Sequence, residues 1–159
     1  MKKVIFASCL FILIFNISSA QNYSAAVGTR LGFGLGLTGK WSPNQNLNFL
    51  EGLANFDLIP SVYGRYTGIA LTALYERHFE MPRSFDGLNW YIGGGGGFAF
   101  GAQFFNMSID PIIGLEYSVR RFNLNMSFDF KPRLYILRNN VSSSRVEPRD
   151  AAFAFRYYF

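Results

Sequence analysis

Residues 122–131 read Phe-Asn-Leu-Asn-Met-Ser-Phe-Asp-Phe-Lys, and no other stretch restricts the fold so strongly. Phe122, Leu124, Met126, Phe128 and Phe130 alternate without exception with Asn123, Asn125, Ser127, Asp129 and Lys131. Successive side chains point to opposite faces in an extended strand, so this segment has one apolar and one polar face. A helix, at about 3.6 residues per turn, would scatter both sets around its axis.

Most of the chain divides into pieces of the same kind. The first strand is expected over 24–34, with Val27, Thr29 and Leu31 opposite Gly28 and Arg30, and the second over 35–41 after a tight glycine turn. A turn at 42–46 containing Pro43 leads to a third strand at 47–56, whose pattern is weakest because Leu50 and Leu53 fall on opposite faces. Pro60 breaks the chain within 57–61, and a fourth strand follows over 62–79 with Ile69, Leu71, Ala73 and Tyr75 opposite Thr72, Glu76 and His78. The fifth is expected at 88–101, the sixth at 108–120, the seventh at 122–131 and the eighth over the last residues, where Phe153, Phe155, Tyr157 and Phe159 alternate with Ala152, Ala154, Arg156 and Tyr158. The longest polar gap is 135–150, rich in Asn, Ser and Arg.

The beginning of the chain differs in kind. Lys2 and Lys3 precede an apolar run from Val4 to about Ile17 and then Ser18-Ser19-Ala20, the layout of a secretory signal peptide with small residues at its cleavage site. Residues 1–20 are therefore expected to be removed, leaving 21–159 as one domain. The single cysteine, Cys9, lies in the removed segment, so zinc-thiolate sites, disulfides and cysteine nucleophiles are excluded from the remainder. Lys2 and Lys3 also account for two units of the net charge of +5, and the remaining basic residues are scattered rather than gathered into the basic stripe that nucleic-acid binding requires. Beyond the N-terminus no run approaches the roughly 20 apolar residues of a membrane helix, so a membrane could be crossed only by strands.

Eight strands, an even number joined as a meander, describe an all-β, antiparallel, up-and-down barrel. Crossing an apolar band of about 25 Å at a tilt of about 40° takes about 10 residues per strand. The chain has room for eight such strands and ordinary connections. The polar faces hold Gly, Ala, Ser and Asn with isolated charges, which suits a narrow interior and not a solvated surface. The apolar faces are thus expected to point outward into lipid, making the barrel transmembrane. With both termini on one side, Tyr23, Trp41, Tyr75, Phe79, Trp90, Tyr117, Phe122, Tyr157 and Phe159 gather there as an interfacial girdle.

Several segments carry a resemblance: Gly36-Leu37-Thr38-Gly39-Lys40, Leu-Asn-Trp-Tyr-Ile-Gly-Gly-Gly at 88–95, Gly114-Leu115-Glu116-Tyr117, residues 124–132 and the terminal 153–159. Together they resemble the small outer-membrane β-barrel domain family of Gram-negative bacteria. The resemblance implies residence in the bacterial outer membrane, among outer-membrane lipids and lipopolysaccharide. It also implies that Phe159 is similar to the signal read by the outer-membrane assembly machinery. It carries over no catalytic residue, metal or cofactor.

Gly34-Leu35-Gly36-Leu37-Thr38-Gly39 matches the dinucleotide fingerprint in letters only, because Lys40-Trp41-Ser42-Pro43 leads into a turn and not a helix. Arg30, Lys40, Glu51, Glu76, Asp110, Glu116, Asp129, Lys131 and Arg156 fall on inward faces and nearly cancel, as charges in a packed interior must if they pair. They are expected to form a structural polar network. His78, the one histidine, lies near the termini-side rim beside Glu76 and Glu80 with no evident serine partner. Arg138, Arg145 and Arg149, in the long gap, are candidates for contacting lipopolysaccharide phosphates or the acidic surface of another envelope protein. The expected role is structural or interactive and not enzymatic; a lipid A-modifying enzyme and a narrow solute channel are the alternatives.

Overall fold

The computed structural model describes residues 23–32, 34–43, 47–57, 60–61, 64–65, 68–82, 87–101, 104–138, 146–147 and 150–159. The expected signal segment, 1–20, lies outside these. Among the described residues, eight strands form a closed antiparallel barrel. They are β1 (Ala25–Leu31), β2 (Leu35–Trp41), β3 (Asn48–Asp57), β4 (Gly68–Glu80), β5 (Leu88–Gly101), β6 (Phe104–Val119), β7 (Leu124–Phe130, continuing as Arg133–Arg138) and β8 (Ala151–Tyr158). Each pairs with its sequence neighbour, and β1 closes the ring on β8 from Ala26↔Tyr158 to Leu31↔Phe153. The terminal residue extends that seam: Phe159 N–H donates to the Ala25 carbonyl at 3.0 Å.

Period-2 alternation places the side chains. On β4 every residue from Ile69 to His78 alternates between exposed and buried, with Ile69, Leu71, Ala73 and Tyr75 outside and Thr72, Leu74, Glu76 and His78 inside. The two faces of β3 that seemed contradictory resolve the same way, Leu50 pointing outward and Leu53 inward. Leu53, Leu74, Tyr91 and Ile112 form a small apolar cluster among the polar interior side chains.

Several boundaries differ from the sequence expectation. Strand β4 begins at Gly68 and not at 62, and β6 begins at Phe104, four residues before 108, because its inward positions Asn106 and Ser108 continue the alternation of Asp110. Phe122 is not in a strand: Arg120–Phe122 forms a 3-10 turn, and Asn123 closes it in the left-handed region (φ 50°). Asparagine tolerates that conformation better than most residues. Part of the expected gap at 135–150 is strand, since β7 resumes after Pro132 and runs to Arg138, and Val146–Glu147 pairs back onto Leu134 and Arg133.

The break in β7 has a local cause. The register on either side, Ile113↔Phe130 and Ile109↔Leu134, is continuous, and it sets Pro132 opposite Pro111. Neither proline has an N–H to donate, so the ladder lapses over 131–133 without changing phase, and the register shifts only beyond, between Tyr135 and Leu137. Lys131 and Arg133 therefore point inward in line with Asn125, Ser127 and Asp129.

Glycines make the interior possible at two places. Tyr91 lies across the barrel wall from Gly114, and a Cβ at 114 would approach its Cζ to 2.5 Å. On β5 a Cβ at Gly95 would stand 1.8 Å from the Ala73 carbonyl oxygen, so β4 and β5 could not curl together as tightly with any other residue there.

Candidate functional site

The polar interior is built from alternate residues of all eight strands and divides into two ionic layers. The layer nearer the termini centres on Lys40 of β2, whose Nζ lies 2.7 Å from Glu76 Oε2 and 3.0 Å from Glu116 Oε2. Its ammonium also sits 4.1 Å from the centroid of Tyr91. Arg156 of β8 pairs with Glu51 of β3, donates from Nε to Thr38 Oγ1 at 2.9 Å and from Nη1 to Ser127 Oγ at 2.8 Å. The Tyr23 hydroxyl donates to Glu116 Oε1 at 2.9 Å.

His78 belongs to this layer. Its Nε2 is 3.2 Å from Glu76 Oε2, its ring stacks on Tyr91 at 4.8 Å and tilts against Phe49 at 4.5 Å. It has no exposed surface. Tyr23 packs against Phe49 and Tyr158, with ring centroids 5.2 and 5.0 Å away, at that end of the interior.

The second layer lies toward the loop end. Arg30 of β1 donates from Nη2 to Asp129 Oδ1 at 2.5 Å and from Nη1 to Asp150 Oδ1 at 2.9 Å. Lys131 Nζ is 2.7 Å from Asp150 Oδ2 and 3.5 Å from Asp110 Oδ2. Arg133 approaches Asp110 and Asp150 at 3.9 and 3.8 Å. Burial alone would raise the Asp150 carboxyl, but Lys131 and Arg30 hold it below the ordinary carboxylate range.

Arg30, Lys40, Glu51, Glu76, Asp110, Glu116, Asp129, Lys131 and Arg156 are thus all buried, each within 4.0 Å of an opposite charge. Arg133 and Asp150 join them and were not anticipated. Both were within reach of the alternation: Arg133 follows Lys131 by two residues across Pro132, and Asp150 shares the phase of Ala152, Ala154 and Arg156. Arg145 and Arg149 lie outside the described residues. The backbone of Arg138 pairs with Asn106 at the end of β7.

The outer wall is the reverse. Val27, Leu37, Leu50, Leu71, Ile92, Phe98, Ile113 and Phe155 are each two-fifths to three-fifths exposed. At the termini end Trp41, Tyr75, Tyr117, Tyr157, Phe122 and Phe159 are exposed, and Phe79 stacks on Trp90 at 4.3 Å. Tyr23 is a correction to the expected girdle. It is 3% exposed and turned into the interior, because Glu116 and Phe49 offer its hydroxyl and ring a better-matched site than the rim.

Chemically, the interior offers buried, paired charges, with side chains as large as Arg156, Lys40 and Tyr91 less than 2% exposed. Among the described residues no group of three or more His, Cys, Asp or Glu is placed to hold a metal ion. Fold and site together define a closed eight-stranded antiparallel β-barrel of inverted polarity, charged within and apolar without. No protein-family model and no curated protein matches the sequence.

Proposed function

We propose that the protein is a non-catalytic outer-membrane β-barrel of bacteria, entering the envelope through a signal peptide at 1–20 and acting as a structural or interaction protein through its extracellular loops. One observation carries this reading: large apolar side chains cover the outer wall while the charges are enclosed. In water such a wall is a liability far beyond the few hundred Å² of contiguous apolar surface that soluble monomers expose. In lipid it is the required surface, and a closed barrel satisfies every ladder hydrogen bond without an edge. The exposed aromatics at the termini end then lie at one membrane interface, and the loops at the opposite end face outward.

The interior supports a structural role. Water does not reach Lys40, Glu76 or Glu116, whose side chains are 0% exposed, so a solute path through this layer would have to dismantle it. His78, enclosed between Phe49 and Tyr91, is out of reach of a lipid substrate. The partners of this reading are outer-membrane lipids, lipopolysaccharide, the assembly machinery that reads Phe159, and an envelope protein met by the loops.

Expression with the native leader in a Gram-negative host tests it. The protein should fractionate with outer membranes, resist added protease, and migrate differently before and after boiling. Identical migration with complete proteolysis would reject the membrane barrel. Replacing 139–145 by Gly and Ser should leave those properties intact while removing cross-links to a neighbouring envelope protein; unchanged cross-links would reject the loops as the interaction surface.

A further inference from the structure

At the loop end of the interior, three cationic side chains converge on a single carboxylate. Asp150 lies 2.9 Å from Arg30 Nη1, 2.7 Å from Lys131 Nζ and 3.8 Å from Arg133 Nη2. The other two described carboxylates of this layer, Asp110 and Asp129, sit deeper, with side chains 0% and 1% exposed, whereas that of Asp150 is 16% exposed. Asp150 also differs in its place on the chain. Asp110 and Asp129 belong to β6 and β7, while Asp150 precedes β8 and is held by a hydrogen bond from Lys131 N–H to its carbonyl at 2.7 Å.

The charge balance identifies what the position requires. Among the described side chains, three cations against Asp110 and Asp129 leave one positive charge, which the Asp150 carboxylate cancels. A guanidinium and an ammonium within 3 Å match the two oxygens of a carboxylate, and an uncompensated charge in so buried a layer is strongly disfavoured. The chain therefore fills, with its own side chain, a site shaped and charged for one monoanion.

We propose that Arg30, Lys131 and Arg133 form a carboxylate-binding site at the loop end of the barrel, occupied at rest by Asp150 and open to exchange with an external carboxylate. Asp150 is tethered and competes at high effective concentration, so an external ligand binds the native protein weakly. Removing the Asp150 charge removes the competitor. Displacing Asp150 also loosens the neighbouring pairing of Val146–Glu147 with Leu134 and Arg133. None of this depends on what surrounds the outer wall.

The test uses the full-length protein in detergent micelles, with sodium acetate as probe and sodium chloride and inorganic phosphate at matched ionic strength as comparisons. Asp150→Asn preserves shape and removes the charge. It should bind acetate saturably, at least ten-fold more tightly than the native protein and more tightly than phosphate or chloride. Adding Arg133→Gln to that background should weaken acetate binding at least ten-fold. In the native protein, saturating acetate should speed amide exchange at Val146 and Glu147 where chloride does not, a readout that stands even if Asp150→Asn fails to fold. Equal acetate affinity in native and Asp150→Asn proteins, indifference to Arg133→Gln, or no acetate-specific change in native exchange would each overturn the proposal.

Discussion

Gly114 and Lys40 show how narrowly single residues determine this interior. Tyr91 occupies the space a side chain at 114 would need, so Gly114→Val forces the ring or the strand aside. Overpacking of this kind costs about 1–3 kcal/mol, and urea titration of the barrel in lipid vesicles should show it as a lower midpoint. Lys40→Met removes the partner shared by Glu76 and Glu116 and leaves two carboxylates buried together. Breaking a buried pair from one side costs about 3–5 kcal/mol. The same titration should therefore show a larger loss than Gly114→Val, and adding Glu116→Gln should recover part of it. The inward charges were legible because a single parity runs through the part of each strand that carries them. Tyr23 was not, since aromatic character alone does not distinguish a rim residue from one whose hydroxyl meets a buried glutamate. Arg133 was hidden by Pro132, which reads as a strand end although the phase passes through it.

At the level of strands and turns, alternation was enough to find every barrel strand, and the errors fall where a turn or a proline intervenes. The seventh strand is the clearest case. Its regular run 124–130 is flanked by Phe122 and Asn123, whose alternating types suit a strand but whose backbone forms the 3-10 turn and its left-handed close. The Asn123 carbonyl then accepts a hydrogen bond from Tyr158 N–H at 3.0 Å, tying the turn to β8. A β-branched residue resists that conformation, so Asn123→Val should destabilise the barrel by about 1–2 kcal/mol, while Asn123→Gly should be close to neutral. Equal losses in thermal melts of the two variants would show that φ is not what selects asparagine. At the other end of β7, Pro132 opposite Pro111 explains why a continuous strand presents itself in sequence as a strand followed by a loop.

For the molecule as a whole, the inverted polarity is what sets the proposed membrane barrel apart from a soluble one. A soluble barrel encloses its apolar face and wets its polar one. This chain exposes Leu71, Phe98 and Ile113 and encloses Arg156 and Lys40. On a lipid-facing wall, Leu71→Arg should destabilise the barrel in vesicle-based unfolding, by up to about 2–4 kcal/mol at the depth of the bilayer midplane, whereas on a wetted wall it would be neutral or favourable. Composition and strand count pointed to this architecture from the sequence. Whether the interior or the loops bind anything was not legible, because spacing records which face a residue occupies and not what it meets there. The most direct test places a single tryptophan at position 71 in a Trp41→Phe, Trp90→Phe background and measures its fluorescence in vesicles of acyl-brominated lipid. The account predicts strong quenching by the bromine atoms and little by aqueous iodide; quenching by iodide with none from the lipid would contradict it.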